Sequence, residues 1–378
     1  MMREADVLII GGGGAGLSAA LHLARGGARA VLLERGQVGG GATGVNYGGV
    51  RQQGRHPAGL PLARRAREIW GRMRDLAGSD AEFDPCGHLK LARTAEEEAE
   101  LLRWNALAAE HGLTPRMIGC NAIRAEHPYF GESVIAGSLL AEDGCANPRL
   151  LGPALARAAR EAGAEILEHH PAADLAHDGA RFRATANGTA FAASALLNCA
   201  GFWGGAVAAC FGEAVPIEPL HPNMLVTEPL PRFLPHSLGV VGGDLYLRQV
   251  SRGNIVFGGG RGEGDAAATA TRPLPEAGQG AMARAVQLIP RLAGAMVIRS
   301  WTGTDGSLPD GFPVLGPSRT TPGLFHAFGF CGEGFQTGPA VGAVLSELVL
   351  DGRTDIPLEA FDIGRFAGQD HDHGTGRR

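Results

Sequence analysis

The run Val7-Leu8-Ile9-Ile10-Gly11-Gly12-Gly13-Gly14-Ala15-Gly16-Leu17, closed by Ala30-Val31-Leu32-Leu33-Glu34, sets the architecture. An unbroken apolar run such as Val7–Ile10 reads as a parallel strand buried on both faces. The glycines that follow make a turn whose backbone a ligand can approach. Leu17 to Ala24 reads as a helix, with apolar residues at Leu17, Ala20, Leu21 and Ala24. A second strand, Ala30–Leu33, ends on Glu34. Strand, glycine turn, helix, strand and terminal acid in a unit of about 30 residues form a dinucleotide-binding arrangement. Gly11, Gly13 and Gly16 occupy its glycine positions, with Gly14 and Ala15 at the helix start. A pyrophosphate there meets free N–H groups and the positive end of the helix dipole. Glu34 suits a ribose diol, which favours NAD or FAD over NADP.

A hydropathy scan would flag Val7 to Ala24 as a membrane span or signal peptide, because the run lacks Asp, Glu, Lys and Arg. Four consecutive glycines inside it, and Glu4 and Asp6 before it, speak against both. The length, 378 residues, predicts two or three domains, and 44% hydrophobic residues supply a core. The net charge of −5 comes with no basic arm, so no nucleic-acid partner is expected. Cys86, Cys120, Cys145, Cys199, Cys210 and Cys331 form no C-x-x-C pair. Neither a zinc module nor a disulfide framework is expected, in keeping with a reducing, cytoplasmic setting. Lys90 is the only lysine, so any lysine-assisted chemistry has one candidate. His169-His170 and His371-Asp372-His373 read as solvated side chains, and no metal site is expected.

Further along, Asn147-Pro148 caps a predicted helix over 149–161, followed by strands at 165–167, 181–184 and 195–197. A third strand–turn–helix pattern runs from Leu324–Ala327 to a helix from Pro339 to Leu350. Residues 55 to 140 carry mostly helical patterns, such as 60–76 and 95–111. Residues 216–315 alternate short apolar runs with Gly and Pro, which predicts antiparallel sheet.

Four ordered segments then carry a resemblance. Ala5 through Glu34 and Arg35 is the first, and Gly40-Gly41-Ala42-Thr43-Gly44-Val45-Asn46-Tyr47-Gly48-Gly49-Val50-Arg51 is the second. Leu197-Asn198-Cys199-Ala200-Gly201-Phe202-Trp203 is the third, and Gly329-Phe330-Cys331-Gly332-Glu333-Gly334-Phe335-Gln336-Thr337-Gly338-Pro339 the fourth. Together they resemble the D-amino-acid-oxidase superfamily of FAD enzymes. That family includes glycine and sarcosine oxidases and the flavin beta subunits of proline dehydrogenase and hydrogen cyanide synthase. The resemblance implies an α/β plus α+β fold: a Rossmann-type FAD-binding domain with a second, mixed antiparallel-sheet substrate domain. It implies FAD-binding segments 1–80, 142–214 and 316–366, substrate segments 81–141 and 215–315, and a flexible tail 367–378.

The resemblance also implies roles. Gly41, Ala42, Thr43, Asn46, Gly48 and Gly49 pass under the flavin. Ala200, Gly201 and Trp203 serve the adenosine side. Gly332, Gly334, Phe335, Gln336 and Thr337 meet the flavin ring. No histidine or cysteine stands at the family's tethering positions, so FAD is expected to be non-covalent. Arg51 falls where sarcosine oxidase holds a substrate carboxylate, and an arginine fork suits that group. Arg55 and Arg248 compete for the role. Tyr246, Arg248 and Trp301 complete the expected catalytic set.

Two departures stand out. Asp305 replaces the substrate-binding arginine of glycine oxidase, and Gln336 replaces the late-loop lysine of sarcosine oxidases. No lysine is expected near Tyr246 and Arg248, which favours an electron acceptor other than oxygen. The implied reaction is oxidation of an amine, such as sarcosine, proline, hydroxyproline, glycine or a D-amino acid. Hydride passes from the carbon next to nitrogen to flavin N5, and the imine hydrolyses. The alternatives are a 2-hydroxy acid or polyol phosphate substrate, or a flavin subunit working with partner redox subunits.

Overall fold

The computed structural model describes residues 2–265 and 267–367. The predicted tail and the His371–His373 cluster lie almost wholly outside the described residues, as only Ala367 falls within them.

One sheet has the strand order 314–317, 324–328, 189–198, 2–10, 30–33, 165–167. Its central pairs are parallel: Val7–Ile10 lies in register with Ala195–Asn198 on one side and Ala30–Leu33 on the other. The opening helix spans Gly14–Arg25, so it begins inside the glycine run rather than at Leu17. Asn147 caps the helix Pro148–Glu161 through its side chain, which accepts from the Arg149 amide. The late helix spans Gly334–Leu350 and carries Pro339 within it. Reading Pro339 as a first-turn residue therefore placed this start too late.

The second sheet runs 297–302, 222–229, 254–261, 246–249, 237–240, 88–92, 136–140, 116–118. All its pairs are antiparallel except 237–240 with 88–92. Three of these strands lie in the stretch read as mostly helical. His88–Ala92 and Ala136–Leu140 are buried nearly throughout, so neither shows the polar alternation of a half-exposed strand. The pattern at 60–76 resolves into two helices, Leu60–Gly71 and Met73–Ala77, broken at Arg72.

Two cores support the sheets. Leu17, Leu21, Leu32 and Trp70 belong to one; Leu89, Leu91, Leu238, Leu247 and Phe257 belong to the other. The opening and late helices touch through glycine: a Cβ at Gly342 would lie 2.4 Å from both the Ala19 nitrogen and Ser18 Cβ. Ser18 Oγ donates to the Pro339 carbonyl at 2.7 Å across the same contact. Gly342→Val is expected to force these helices apart and lower unfolding stability by about 1–3 kcal/mol. Denaturant titration of the holoprotein reads this as a lower midpoint; an unchanged midpoint would contradict the contact.

Candidate flavin and substrate site

A cavity of about 1520 Å³ lies between the two sheets. At its nucleotide end the backbone leaves no room for side chains. Gly11 has φ +108°, and a Cβ there would lie 2.3 Å from the Cys199 carbonyl oxygen. A Cβ on Gly16 would lie 2.0 Å from the Gly11 carbonyl oxygen. Gly13, the N-cap of the opening helix, has no side chain to cap with, and that N-terminus faces the cavity. Glu34 accepts from the Gly12 and Gly36 amides, each at 2.7 Å, which fixes its carboxylate at the cavity edge. Thr43 Oγ1 accepts from the Gly14 amide at 2.9 Å and joins the second loop to the first. The Arg35 guanidinium lies 3.3 Å over the Trp203 ring.

The cavity wall includes Gly11, Gly13, Gly14, Ala15, Glu34, Arg35, Gly41, Ala42, Thr43, Asn46 and Gly49. It also includes Ala200, Gly201, Trp203, Gly332, Gly334 and Phe335, and on the substrate side Arg51 and Tyr246. Gly16, Gly48, Gln336, Thr337, Arg248 and Trp301 stand behind it. The Gln336 amide bridges elements, donating to the Ala63 carbonyl at 2.8 Å and accepting from Arg55 at 3.2 Å. Thr337 Oγ1 donates to the Glu333 carbonyl at 2.9 Å. Gly48, at φ +89°, lets the loop pass against the Ala146 carbonyl. Arg248 Nε donates to the Tyr47 carbonyl at 2.5 Å. Trp301 Nε1 donates to the Val45 carbonyl at 2.7 Å. Arg248 and Trp301 thus hold the 42–48 loop in place from the substrate sheet.

The register of that sheet places one transverse row beneath the cavity: Ser138, Lys90, Gly239, Tyr246, Gly258, Met224 and Trp301. Residues paired across neighbouring strands share a face. Gly258 leaves room for the Tyr246 ring, since a Cβ there would lie 2.4 Å from it. Tyr246 packs on Tyr47 with centroids 4.8 Å apart, and its hydroxyl reaches Met224 Sδ at 3.5 Å.

Lys90 therefore lies on the same cavity wall as Tyr246, separated from it by the Gly239 strand. The absence of a lysine near Tyr246, expected from linear spacing, does not hold. Residues 88–92 lie far from 246 in the chain, and only sheet order joins them.

Charge near the substrate wall is unevenly matched. Arg55, with a side chain 2% exposed, pairs with Glu333 at 2.5 Å. Arg51 Nη1 donates to the Gln53 carbonyl at 2.5 Å, and no carboxylate among the described residues pairs with it. Burial, and after it the nearby Arg51, Lys90 and Arg55 cations, hold His88 well below its ordinary pKa and keep it neutral. Asp143 accepts from the Gln52 and Gln53 amides at 2.7 and 2.9 Å, so it anchors the loop that carries Arg51. Burial pushes this carboxyl up to about 6. Asp305 is also raised by burial and accepts from the Gly332 amide at 2.6 Å, which supports the late loop.

Lys90, His88, Tyr47, Asp143 and Met224 were not singled out as site residues from the sequence. The lone lysine was the one available signal among them.

The residues present fit FAD. The long cavity, the Cβ-free turn, the anchored Glu34 and a second helix N-terminus at Gly332–Phe335 suit the parts of a flavin dinucleotide. Residues 6–348 match the family model described as FAD dependent oxidoreductase. The chain belongs to this family. It is an FAD enzyme, and its relatives match it over nearly its whole length. Glycine oxidase of Geobacillus kaustophilus is 27% identical over 379 residues, covering 98% of this chain and 99% of the relative. Sarcosine oxidase subunit beta of Rhizobium meliloti is 27% identical over 376 residues, covering 96% and 88%. Among solved structures, L-proline dehydrogenase from P. horikoshii superposes with TM-score 0.89 at 27% identity, covering 97% and 98% of the two chains. No helix among the described residues is long and apolar enough to cross a membrane.

Two outcomes follow from this geometry. Glu34→Ala removes a charged acceptor and is expected to weaken FAD binding about 10- to 100-fold. Fluorescence titration of the apoprotein measures it; unaltered affinity would remove the assigned role.

The second outcome concerns Asp143. Its folded pKa is raised, so its stability contribution is fully present below its unfolded pKa of about 3.9 and is lost as pH rises through about 6. Function runs the other way, because a protonated carboxyl loses acceptor capacity for two amides. Carboxylate-ligand affinity, read from flavin absorbance changes, is expected to fall below about pH 6. Asp143→Asn should abolish that midpoint; identical profiles for both proteins would overturn it.

Proposed function

We propose that this enzyme oxidises an α-amino acid or N-alkyl amino acid at the carbon next to nitrogen. Bound FAD supplies the two-electron acceptor for that step. The observation that carries the reading is Arg51, a cavity-facing guanidinium with no carboxylate partner among the described residues. A substrate carboxylate completes its hydrogen bonding through a bidentate pair. The Arg51 loop is anchored through Asp143, so the fork is aimed before substrate arrives.

Arg51 and Lys90 also act on the substrate nitrogen. Cations nearby disfavour an ammonium and favour the neutral amine, whose lone pair assists loss of the neighbouring hydrogen. His88 stays neutral and adds no charge. Tyr246 and Tyr47 supply an aromatic wall that excludes water. No strong general base is needed, because orientation and electrostatics carry the barrier reduction.

Gly11, Gly13, Gly14, Ala15 and Glu34 take the adenosine and pyrophosphate half of FAD, with Arg35, Ala200, Gly201 and Trp203 beside them. Gly41, Ala42, Thr43, Asn46 and Gly49 take the flavin half from one side, and Gly332, Gly334 and Phe335 from the other. Gly48, Gln336 and Thr337 shape those loops from behind. Attachment is non-covalent, since residues 299–303 and the 42–48 loop contain neither histidine nor cysteine. The six free thiols fit a reducing, cytoplasmic setting.

A second reading, a flavin subunit within a larger assembly, has its own support. Val297–Thr302 is an edge strand of the substrate sheet, and Met296, Val297 and Ile298 beside and along it are exposed. An apolar edge is a ready pairing surface. Two relatives carry the names sarcosine oxidase subunit beta and hydrogen cyanide synthase subunit HcnC.

Anaerobic mixing with a panel of amino acids, N-methyl amino acids, hydroxy acids and polyol phosphates tests the function. Amino acids are expected to bleach the flavin band of the isolated chain; bleaching by hydroxy acids alone would overturn the reading. Arg51→Ala should lower kcat/KM for amino acids about 10- to 100-fold and leave plain amines far less affected. Equal losses for both classes would remove the carboxylate role.

A further inference from the structure

We propose that the substrate bears a second carboxylate, and that Lys90 together with Arg51 forms the site that receives the two acidic groups. This inference rests on the amino acid reading above and narrows it to amino- or imino-dicarboxylic acids. Lys90 and His88 point to the cavity, while Leu89 and Leu91 point to the core, as strand alternation requires. A Cβ built on Gly54 would lie 3.2 Å from Lys90 Nζ and 3.4 Å from Arg51 Nη1. Two cationic ends therefore flank one point on the wall.

Neither cation is well matched among the described residues. Arg55, their neighbour, is paired with Glu333, and Asp143 is taken by two backbone amides. Among the described residues the acid paired with Lys90 is Glu100, at 3.9 Å and half exposed, beyond hydrogen-bonding distance. The Lys90 side chain is only 22% exposed, so water solvates it poorly. Burial and the Arg51 guanidinium hold its ammonium below the ordinary value, and an arriving anion would reverse that shift.

A monocarboxylic substrate satisfies Arg51 and leaves Lys90 half-buried beside it. A second acidic group on the side chain or the nitrogen satisfies both. There is space beside Lys90: a smaller cavity of about 270 Å³ shares Gly54 and Lys90 with the main one, and its wall carries Arg103 and Trp104 as well as the half-exposed Glu100 carboxylate.

The test uses FAD-loaded protein mixed anaerobically with matched pairs: sarcosine against iminodiacetate, and N-methylalanine against N-methylaspartate. At least one diacid should bleach the flavin about 10- to 100-fold more efficiently than its monoacid partner. Lys90→Met should erase that ratio, and Lys90→Arg should keep most of it. Binding of glutarate against butyrate to the oxidised protein, read from absorbance changes, should follow the same order without turnover. Equal efficiencies within every pair, or a ratio untouched by Lys90→Met, would overturn the inference while leaving the amino acid reading in place. An effect of Lys90→Met confined to reoxidation by oxygen would also overturn it. Bleaching by no amino acid at all would remove both readings together.

Discussion

Two helix N-termini that converge on one cavity constrain everything around them. Gly338 of the late helix lies against Gly14 of the opening helix, where a Cβ would come 3.2 Å from the Gly14 carbonyl carbon. One turn on, Gly342 meets Ser18 and Ala19. Both helices begin at the cavity, and neither N-cap residue, Gly13 or Glu333, makes a side-chain cap. Placing two positive dipole ends side by side is unfavourable in isolation. An anionic dinucleotide offsets that cost. The close contact therefore ties folding to cofactor binding: the backbone packs tightly where negative charge is to be held.

The substrate wall repeats this logic with side chains. Arg55 is neutralised by Glu333, at the foot of the late helix, and so fastens the 51–55 loop to the cofactor side. Trp70 adds a second tie by donating to the Gln336 carbonyl at 2.9 Å. With Arg55 spent on structure, Arg51 and Lys90 are the neighbouring cations that remain turned toward the cavity. Removing one partner of a buried ion pair leaves an uncompensated charge, so Arg55 is poorly placed to serve a ligand instead. Its pairing favours Arg51 over Arg55 as the proposed carboxylate site.

The nucleotide half was legible because its chemistry is local. Gly11, Gly13, Gly16 and Glu34 act within one strand–turn–helix–strand unit, and spacing alone specifies them. The strands at 30–33 and 165–167 were readable for the same reason, as was the cap at Asn147. The substrate half was harder because its chemistry is built by register. Lys90 meets Tyr246 through the 237–240 strand, and nothing in the run His88-Leu89-Lys90-Leu91 announces that neighbour. Arg248 shares a face with Tyr246, as alternation required, yet its guanidinium turns to the Tyr47 carbonyl rather than to the cavity. Alternation fixes the face of a side chain and leaves its partner open.

The transverse row explains why the wall has this composition. From Lys90 to Met224 it alternates large and absent side chains: Lys90, Gly239, Tyr246, Gly258, Met224. Neighbouring strands stand about 4.8 Å apart, too close for three bulky groups abreast to lie over the sheet. Gly258 lets the Tyr246 ring lean over its neighbour toward Met224, and therefore away from Gly239. The His88 ring takes the space over Gly239, where a Cβ would lie 3.1 Å from its Nε2, between the aromatic ring and the ammonium. A neutral imidazole beside an ammonium makes that stretch of the wall polar while adding only one charge to it.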